Sequence, residues 1–339
     1  MIETVDYHTG GEPFRIVAGG VEPLRGETVL DKRRDALARL DDIRRLLVNE
    51  PRGHADMYGC FVCEPNDDGA DLGVVFFHNA GYSTACGHGT IALVTWALDE
   101  GVVERHEGTN RVVVDVPSGR LETVARVEGG KVRSVRFRNV PSFVWARGLE
   151  AAGREVDVAF GGAFYASCPE QVEPGELPRL IELGREIKRE LEAGHEIAHP
   201  LEPELRDVYG VIFWQDDLDA GELDAGDLDA GDLDAGGGPP LTQRNVTVFA
   251  DGEVDRSPCG SGTSARLALL DDSGQLPRGA ELRHLSIVGS EFRGRVVEEV
   301  DLAGRVAVVT EVEGSAYRTG RHTFELDPDD PLGTGFLLR

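Results

Sequence analysis

One ten-residue pattern occurs twice in this chain of 339 residues, and the repetition constrains the fold more than any other feature. The copies lie 173 positions apart. Aligning Cys86 with Cys259 also aligns two glycines, a threonine and an alanine. Each copy continues into an apolar stretch with helical spacing, 91–98 in the first and 265–270 in the second. Two copies at matching offsets, in a chain long enough for two domains, predict duplicated halves that face each other.

The repeated Cys-Gly-x-Gly-Thr segment has properties suited to acid/base chemistry. A helix N-terminus carries unpaired N–H groups and a partial positive charge, which favour a thiolate and a bound anion. Glycines let a ligand approach the backbone closely. Two such termini facing one cavity would hold a carboxylate and place one sulfur on each face of the adjacent carbon. This arrangement predicts stereoinversion, in which one cysteine removes the Cα proton and the other delivers a proton from the opposite face, while the N–H groups stabilise the enediolate-like charge.

Composition excludes several classes of protein. The 61 acidic and 35 basic side chains give a net charge of −26, which would repel a nucleic acid. Apolar runs stay well short of the roughly 20 residues of a membrane span, and residues 1–6 do not form a signal peptide. Five cysteines do not indicate a disulfide framework. We therefore expect a soluble, cytoplasmic protein.

The charged residues also indicate a habitat. Only three of the 35 basic side chains are lysines, namely Lys32, Lys131 and Lys188. An acidic surface with so little lysine is typical of proteins that work in concentrated salt, where screening weakens the repulsion between carboxylates. The sequence thus favours a halophilic origin over a merely acidic protein.

The other cysteines are predicted to be structural. Cys60 and Cys63 form a Cys-x-x-Cys, but they lie in a strand-like run in which residues three apart point to opposite faces. A zinc or redox site would need a second pair or a shared face, so we predict no metal site there. Cys168 has no partner in the sequence.

The remaining pattern is mixed. Residues 111–116 and 245–249 alternate like strands, and 177–194 has helical spacing with a terminal glycine. Many strands with few helices favour an α+β fold. Residues 215–240 differ in composition: Leu-Asp-Ala-Gly recurs every five residues from Leu218, which predicts a solvated acidic insertion rather than core. Calcium binding by its aspartates is the weaker alternative.

A resemblance to a known family is carried by 6–13, 50–59, Cys86-Gly87-His88-Gly89, 161–166, Asp255-Arg256-Ser257-Pro258-Cys259-Gly260 and 286–290. These segments resemble the proline racemase family, which also contains 4-hydroxyproline 2-epimerases and trans-3-hydroxy-L-proline dehydratases. The resemblance implies a diaminopimelate-epimerase-like fold with two pseudo-symmetric halves, each a β-barrel-like sheet around a central helix, and an active site in the cleft between them. It also implies an imino acid substrate, no cofactor and a homodimer. We expect one half at 1–135, completed by 320–339, and the other at 136–319 with the insertion.

The resemblance also implies roles for individual residues. Cys86 and Cys259 match the acid/base pair. The substrate contacts that match are Gly87, His88, Gly260 and Ser261 as donors to the carboxylate, Asp255 and His88 as partners of the ring nitrogen, and Tyr58 and Phe249 as aromatic walls. For the two aromatic residues, an ordinary place in the core is the alternative.

Some residues depart from the family pattern. Ala85 stands where methionine is common, and Ser261 where threonine is common. Residues 163–165 resemble the dehydratase branch, which however usually has threonine at the position of Cys259. Two cysteines favour inversion, because elimination needs only one. Proline, 4-hydroxyproline and 3-hydroxyproline all remain candidate substrates, and a dehydratase remains the main alternative. A non-catalytic imino acid binding protein needs no cysteine pair, and a diaminopimelate epimerase should lack the 255–260 motif.

Overall fold

The computed structural model describes residues 1–217 and 240–338. The Leu-Asp-Ala-Gly repeats lie outside the described residues, so the predicted insertion is described only at its edges. There, the preceding strand continues through Gln215 to Asp216, so the first two residues of the predicted insertion belong to that strand. Its pairing with the strand that begins at Leu241 extends the ladder to this point.

The described residues form five α-helices, whose bounds are α1 Val29–Arg39, α2 Asp41–Val48, α3 Gly87–Asp99, α4 Leu177–Gly194 and α5 Gly260–Asp272. Helices α3 and α5 begin directly after the two repeated cysteines, as predicted. Helix α4 has the bounds expected from its hydrophobic spacing. Residues 87–98 of α3 and 260–270 of α5 are buried. A helix buried on all sides must be enclosed by other elements, here the strands of a curved sheet.

Eighteen strands in the described part of the chain form one continuous sheet. Their bounds are β1 Ile2–Thr9, β2 Glu12–Gly19, β3 Tyr58–Cys63, β4 Leu72–His78, β5 Gly81–Tyr82, β6 Gly108–Val116, β7 Gly119–Glu128, β8 Lys131–Arg138, β9 Phe143–Ala151, β10 Arg154–Phe160, β11 Phe164–Pro169, β12 Val208–Asp216, β13 Leu241–Phe249, β14 Glu253–Asp255, β15 Leu282–Ser286, β16 Glu291–Leu302, β17 Arg305–Gly314 and β18 Ala316–Phe324. The runs predicted at 111–116 and 245–249 lie within β6 and β13.

Each central helix has its own set of enclosing strands. Helix α3 packs on β1, β2, β3, β7, β8 and β18, whereas α5 packs on β9, β10, β11, β16 and β17. The sheet passes from one set to the other where β8 pairs with β17. This arrangement confirms the predicted α+β class, with a barrel-like sheet around each of two helices.

The predicted boundaries between the halves fall inside strands. The 135/136 boundary cuts β8, and the 319/320 boundary cuts β18. Strand β18 pairs with β1 along its length, from Ala316 opposite Thr9 to Phe324 opposite Ile2. We therefore propose that β18 as a whole completes the first unit, and that β8 lies at the junction.

The cysteines outside the repeat take separate places. Cys60 lies in the core around α3, and Cys63 packs against the smaller core beneath α1 and α2. They thus point to opposite faces of β3, as predicted. All five cysteines are free thiols. Within residues 1–217 and 240–338, no three metal-ligating side chains come together, and no helix has the length and apolar character to span a membrane.

Candidate active site

The N-termini of α3 and α5 meet backbone to backbone. A Cβ on Gly87 would lie 2.4 Å from the Cα of Gly260, and one on Gly260 would lie 2.6 Å from the Cα of Gly87. Only glycine permits this approach, because any side chain would force the helices apart. The unpaired N–H groups of both first turns therefore converge on one place, which is the arrangement expected for binding a carboxylate.

Cys86 and Cys259 are the N-cap residues of these helices. Cys86 has an extended backbone with φ −154°, and its Sγ accepts a hydrogen bond from the Gly89 N–H at 3.2 Å. Cys259 has φ +63°, in the left-handed region that costs a non-glycine residue free energy. The strained conformation places Cys259 at a helix end despite the cost, which is typical of a functional position.

Burial governs the ionisation of both thiols. Each cysteine is only 5% exposed. Burial raises the pKa of Cys86 well above its usual range; the Gly89 N–H lowers it, whereas the charges of Asp255 and Cys259 raise it further. Burial likewise raises the pKa of Cys259, as does the charge of Asp255, while hydrogen bonding with the Gly262 N–H and with the Tyr165 hydroxyl lowers it. Because a charge on Cys259 raises the pKa of Cys86, the site favours one thiolate at a time.

His88 and Asp255 connect the two halves across the site. His88 Nδ1 lies 3.7 Å from Asp255 Oδ2, and His88 Nε2 lies 3.4 Å from Cys86 Sγ. The other oxygen of Asp255 accepts hydrogen bonds from the N–H and hydroxyl of Ser257 at 2.8 and 2.7 Å, which fix the carboxylate. A fixed carboxylate beside an imidazole can hold a positively charged ring nitrogen.

Tyr58 lies beside His88, and Phe249 lies beside Tyr58; their role as aromatic walls stays a prediction. The ring of Tyr58, at the start of β3, meets the imidazole of His88 edge to face with 5.0 Å between ring centroids. Its centroid lies 5.9 Å from that of Phe249, at the end of β13. Each is at most 3% exposed. Every residue predicted for the site thus lies in one constellation, although their individual roles stay predictions.

Four residues near this constellation were given no role from the sequence. They are Glu12, His78, Tyr165 and Tyr209. Glu12 is fully buried and accepts a hydrogen bond from the Arg256 N–H at 2.8 Å; burial and the charge of Asp255 raise its pKa. His78 lies 3.0 Å from Glu253, and its ring meets Phe249 edge to face. Glu12 belongs to a segment that carried the family resemblance, which was the available signal.

The two tyrosines hydrogen-bond to predicted site residues. The Tyr165 hydroxyl lies 2.7 Å from Ser261 Oγ and 3.8 Å from Cys259 Sγ. The Tyr209 hydroxyl lies 2.9 Å from that of Tyr58. Tyr165 stands in the 163–165 segment noted for its resemblance to dehydratases, whereas no sequence signal marked Tyr209.

Comparisons with known proteins cover almost the whole chain. The family model described as proline racemase matches residues 4–337. A trans-3-hydroxy-L-proline dehydratase from Bacillus cereus is 42% identical over 99% of this chain and 97% of its own. A 3-hydroxyproline 2-epimerase from Burkholderia multivorans is 42% identical over 100% of this chain and 98% of its own. The crystal structure of a hydroxyproline epimerase from Agrobacterium vitis with bound trans-4-hydroxy-L-proline matches with a TM-score of 0.86 and 30% identity, over 99% of this chain and 95% of that one. The chain belongs to the proline racemase family.

Proposed function

We propose that this chain is a cofactor-independent racemase or epimerase that inverts Cα of proline or a hydroxyproline. The observation that carries the proposal is the placement of two buried cysteines at the caps of two helices whose N-termini touch. An acid and a base on opposite faces of one carbon are what inversion requires. Homodimerisation and a cytoplasmic location stay predictions.

The proposed reaction moves one proton in and one proton out. The converging N–H groups of α3 and α5 hold the substrate carboxylate, and His88 with Asp255 holds the ring nitrogen. One cysteine, as thiolate, takes the Cα proton, and its electron pair moves into an enediolate that the same N–H groups stabilise. The other cysteine, as thiol, then donates its proton to the opposite face. The enzyme is left with the charge on the other sulfur, ready for the reverse direction.

Because both thiols are buried, forming the thiolate that starts this proton transfer costs free energy. Hydrogen-bond donors near the sulfurs offset part of that cost. Burial disfavours a thiolate, so the base needs compensating hydrogen bonds. The Gly89 N–H supplies one to Cys86, and the Tyr165 hydroxyl approaches Cys259. Exclusion of water, in turn, strengthens the interaction of the N–H groups with the developing charge.

Dehydration of trans-3-hydroxy-L-proline is the second candidate. Its support is the 42% identity to a relative named as a trans-3-hydroxy-L-proline dehydratase. In this reaction one cysteine removes the Cα proton, the C3 hydroxyl leaves with a proton as water, and the resulting enamine tautomerises to Δ¹-pyrroline-2-carboxylate. The presence of Cys259 favours inversion, because elimination needs no proton on the opposite face.

One experiment separates these activities. The protein is incubated in D₂O with L-proline, trans-4-hydroxy-L-proline or trans-3-hydroxy-L-proline, and the Cα proton is followed by NMR together with optical rotation. Inversion produces the C2 epimer deuterated at Cα. Elimination produces Δ¹-pyrroline-2-carboxylate, which o-aminobenzaldehyde detects. A folded protein that binds these imino acids but exchanges no Cα proton would be a binding protein, and the proposal would be wrong.

A further inference from the structure

We propose that the hydroxyls of Tyr58, Tyr165 and Tyr209 form a subsite for a hydroxyl group on the substrate ring, so that the chain selects a hydroxylated proline over proline. This inference rests on the proposed function, since it assumes that an imino acid binds between Cys86 and Cys259. The cysteine pair does not select among proline, 4-hydroxyproline and 3-hydroxyproline. The inference names the residues that make this selection.

The first support is the position of the Tyr165 hydroxyl. It lies 2.7 Å from Ser261 Oγ, in the first turn of α5, and 3.8 Å from Cys259 Sγ. It is therefore beside both the carboxylate-binding turn and one of the two sulfurs. The reacting carbon has two ring neighbours, the nitrogen and C3. His88 and Asp255 are assigned to the nitrogen. We therefore infer that C3 of the substrate ring faces Tyr165.

The second support is the pair formed by Tyr58 and Tyr209. Their hydroxyls lie 2.9 Å apart, and either can be the donor. The Tyr58 hydroxyl also hydrogen-bonds to Ser83, so the capacity that remains in the pair is on the Tyr209 oxygen, which can accept a hydrogen bond from a hydroxyl on the substrate. The ring of Tyr209 packs edge to face on Tyr165 at 5.7 Å and stacks on Phe249 at 5.5 Å. The rings of the three tyrosines and Phe249 therefore form one continuous aromatic cluster.

Desolvation gives these hydroxyls an energetic preference for a polar ring. Tyr58 and Tyr165 are only 2% and 1% exposed. Burial, and the charge of a Cys86 thiolate, raise the pKa of Tyr58, so its hydroxyl is neutral and able to donate. Unsubstituted proline would place methylene groups against this cluster and leave part of the cluster's hydrogen-bonding capacity unused, which costs free energy at the buried hydroxyls. A site built to bond a substrate hydroxyl rejects the analogue that lacks it.

The three tyrosines can be tested by removing one hydroxyl at a time. For the wild type and for Tyr58→Phe, Tyr165→Phe and Tyr209→Phe, kcat/KM is measured as the rate of loss of the Cα proton in D₂O, which counts inversion and elimination alike. We expect the wild type to prefer trans-3-hydroxy-L-proline over L-proline by at least about tenfold, the effect of one buried hydrogen bond. Tyr165→Phe should slow the reaction of every substrate, because the Tyr165 hydroxyl also approaches Cys259 Sγ, and it should in addition reduce that preference about tenfold.

Matched controls separate recognition from structure. Tyr7→Phe removes a buried hydroxyl that bonds Asp99 at 3.1 Å, outside the site, and should leave the substrate ratio unchanged. If Tyr165 serves only to position Ser261, Tyr165→Phe lowers the rates for all substrates equally, which contradicts the subsite. Affinity for pyrrole-2-carboxylate, a carboxylate without a ring hydroxyl, should change little in the folded variants.

The outcomes also separate this inference from the proposed function. Exchange with all three substrates at similar kcat/KM keeps the racemase or epimerase and overturns the hydroxyl subsite. Exchange with none of them, in a folded protein, overturns the proposed function itself. If Tyr165→Phe fails to fold, the test uses the substrate ratio of the wild type and of the variants Tyr58→Phe and Tyr209→Phe. A wild type that does not prefer a hydroxylated ring is enough to reject the subsite.

Discussion

Gly87 and Gly260 are packed so closely that a Cβ on either would lie within 2.6 Å of the other's Cα. They follow the two cysteines, so the contact sets the spacing of both sulfurs and of the first turns of α3 and α5. The neighbouring atoms belong to backbone, apart from the ring of Phe137 at 3.0 Å, and backbone cannot move aside as a flexible side chain can.

Replacing either glycine should therefore damage both stability and catalysis. We expect Gly87→Ala to cost about 1–3 kcal/mol of unfolding free energy through overpacking. A displacement of about 1 Å between the helices should reduce turnover about 100-fold. Denaturant melts and the D₂O exchange rate measure the two effects. In the control Gly175→Ala, the added Cβ meets no atom within 4 Å, and both quantities should stay near wild type.

Serine in place of either repeated cysteine should abolish inversion without unfolding the protein. A hydroxyl cannot serve as acid or base near neutral pH, so Cys86→Ser and Cys259→Ser should each lose about 100-fold or more in racemisation rate. The double variant should be little worse than either single one, because acid and base act as a unit. Cys168→Ala, which changes a buried thiol outside the site, is the matched control. Retention of more than about a tenth of the activity in a single serine variant would contradict the two-base mechanism, whose acid/base groups each contribute more than that.

Threonine at position 259 should separate removal of the Cα proton from delivery of a proton to the opposite face. Cys259→Thr removes the second thiol, so L- and D-substrates should no longer equilibrate. Cys86 should still exchange the Cα proton of the enantiomer that presents it to that sulfur. With trans-3-hydroxy-L-proline, elimination to Δ¹-pyrroline-2-carboxylate should become relatively more prominent. NMR exchange and the o-aminobenzaldehyde assay report both effects, and continued equilibration of the enantiomers would show that Cys259 is not the second acid/base group.

A buried histidine should make the fold sensitive to acid. Burial and the charge of Arg266 lower the pKa of His284 to about 3, and its Nδ1 lies 2.8 Å from Thr263 Oγ1. Below the ordinary histidine pKa of about 6.5, the unfolded chain binds a proton that the folded chain does not, so stability falls from there down to about pH 3. His284→Gln should flatten the melting temperature between pH 7 and 4 relative to wild type.

The control for this prediction is an exposed histidine. His106 has a side chain that is 66% exposed, so His106→Gln should leave the pH dependence close to wild type. Melting curves of the three proteins are compared at each pH, because carboxylates contribute a common background. Identical slopes for the wild type and His284→Gln would contradict the assignment.

Salt should stabilise the protein. The net charge of −26 produces self-repulsion that added ions screen, while exposed ion pairs are each worth only about 0–1 kcal/mol and lose little. The melting temperature should therefore rise from 0.1 to 3 M KCl, as calorimetry can measure. A flat or falling curve would count against adaptation to high salt.

The sequence by itself determined the two buried helices that begin after the repeated cysteines. A helix start, its capping residue and its glycines are consecutive in the chain, so the Cys86 and Cys259 segments predicted α3 and α5 without knowledge of the fold. Helix α4 followed from its 3.6-residue spacing in the same way. Matching offsets of the two copies were enough to predict that the helix ends face each other.

Only the tertiary structure decided what surrounds the sulfurs. Tyr209 is the second residue of β12. Its hydroxyl contacts that of Tyr58, which lies in a strand about 150 residues earlier in the chain. Strand periodicity indicates which face a side chain takes, but it does not say which distant strand lies opposite. The meeting of Tyr58 with Tyr209, like that of Tyr165 with Ser261, depends on sheet register and on how the strands close around α3 and α5. These long-range contacts, which have no local signature, are what shape the wall of the site.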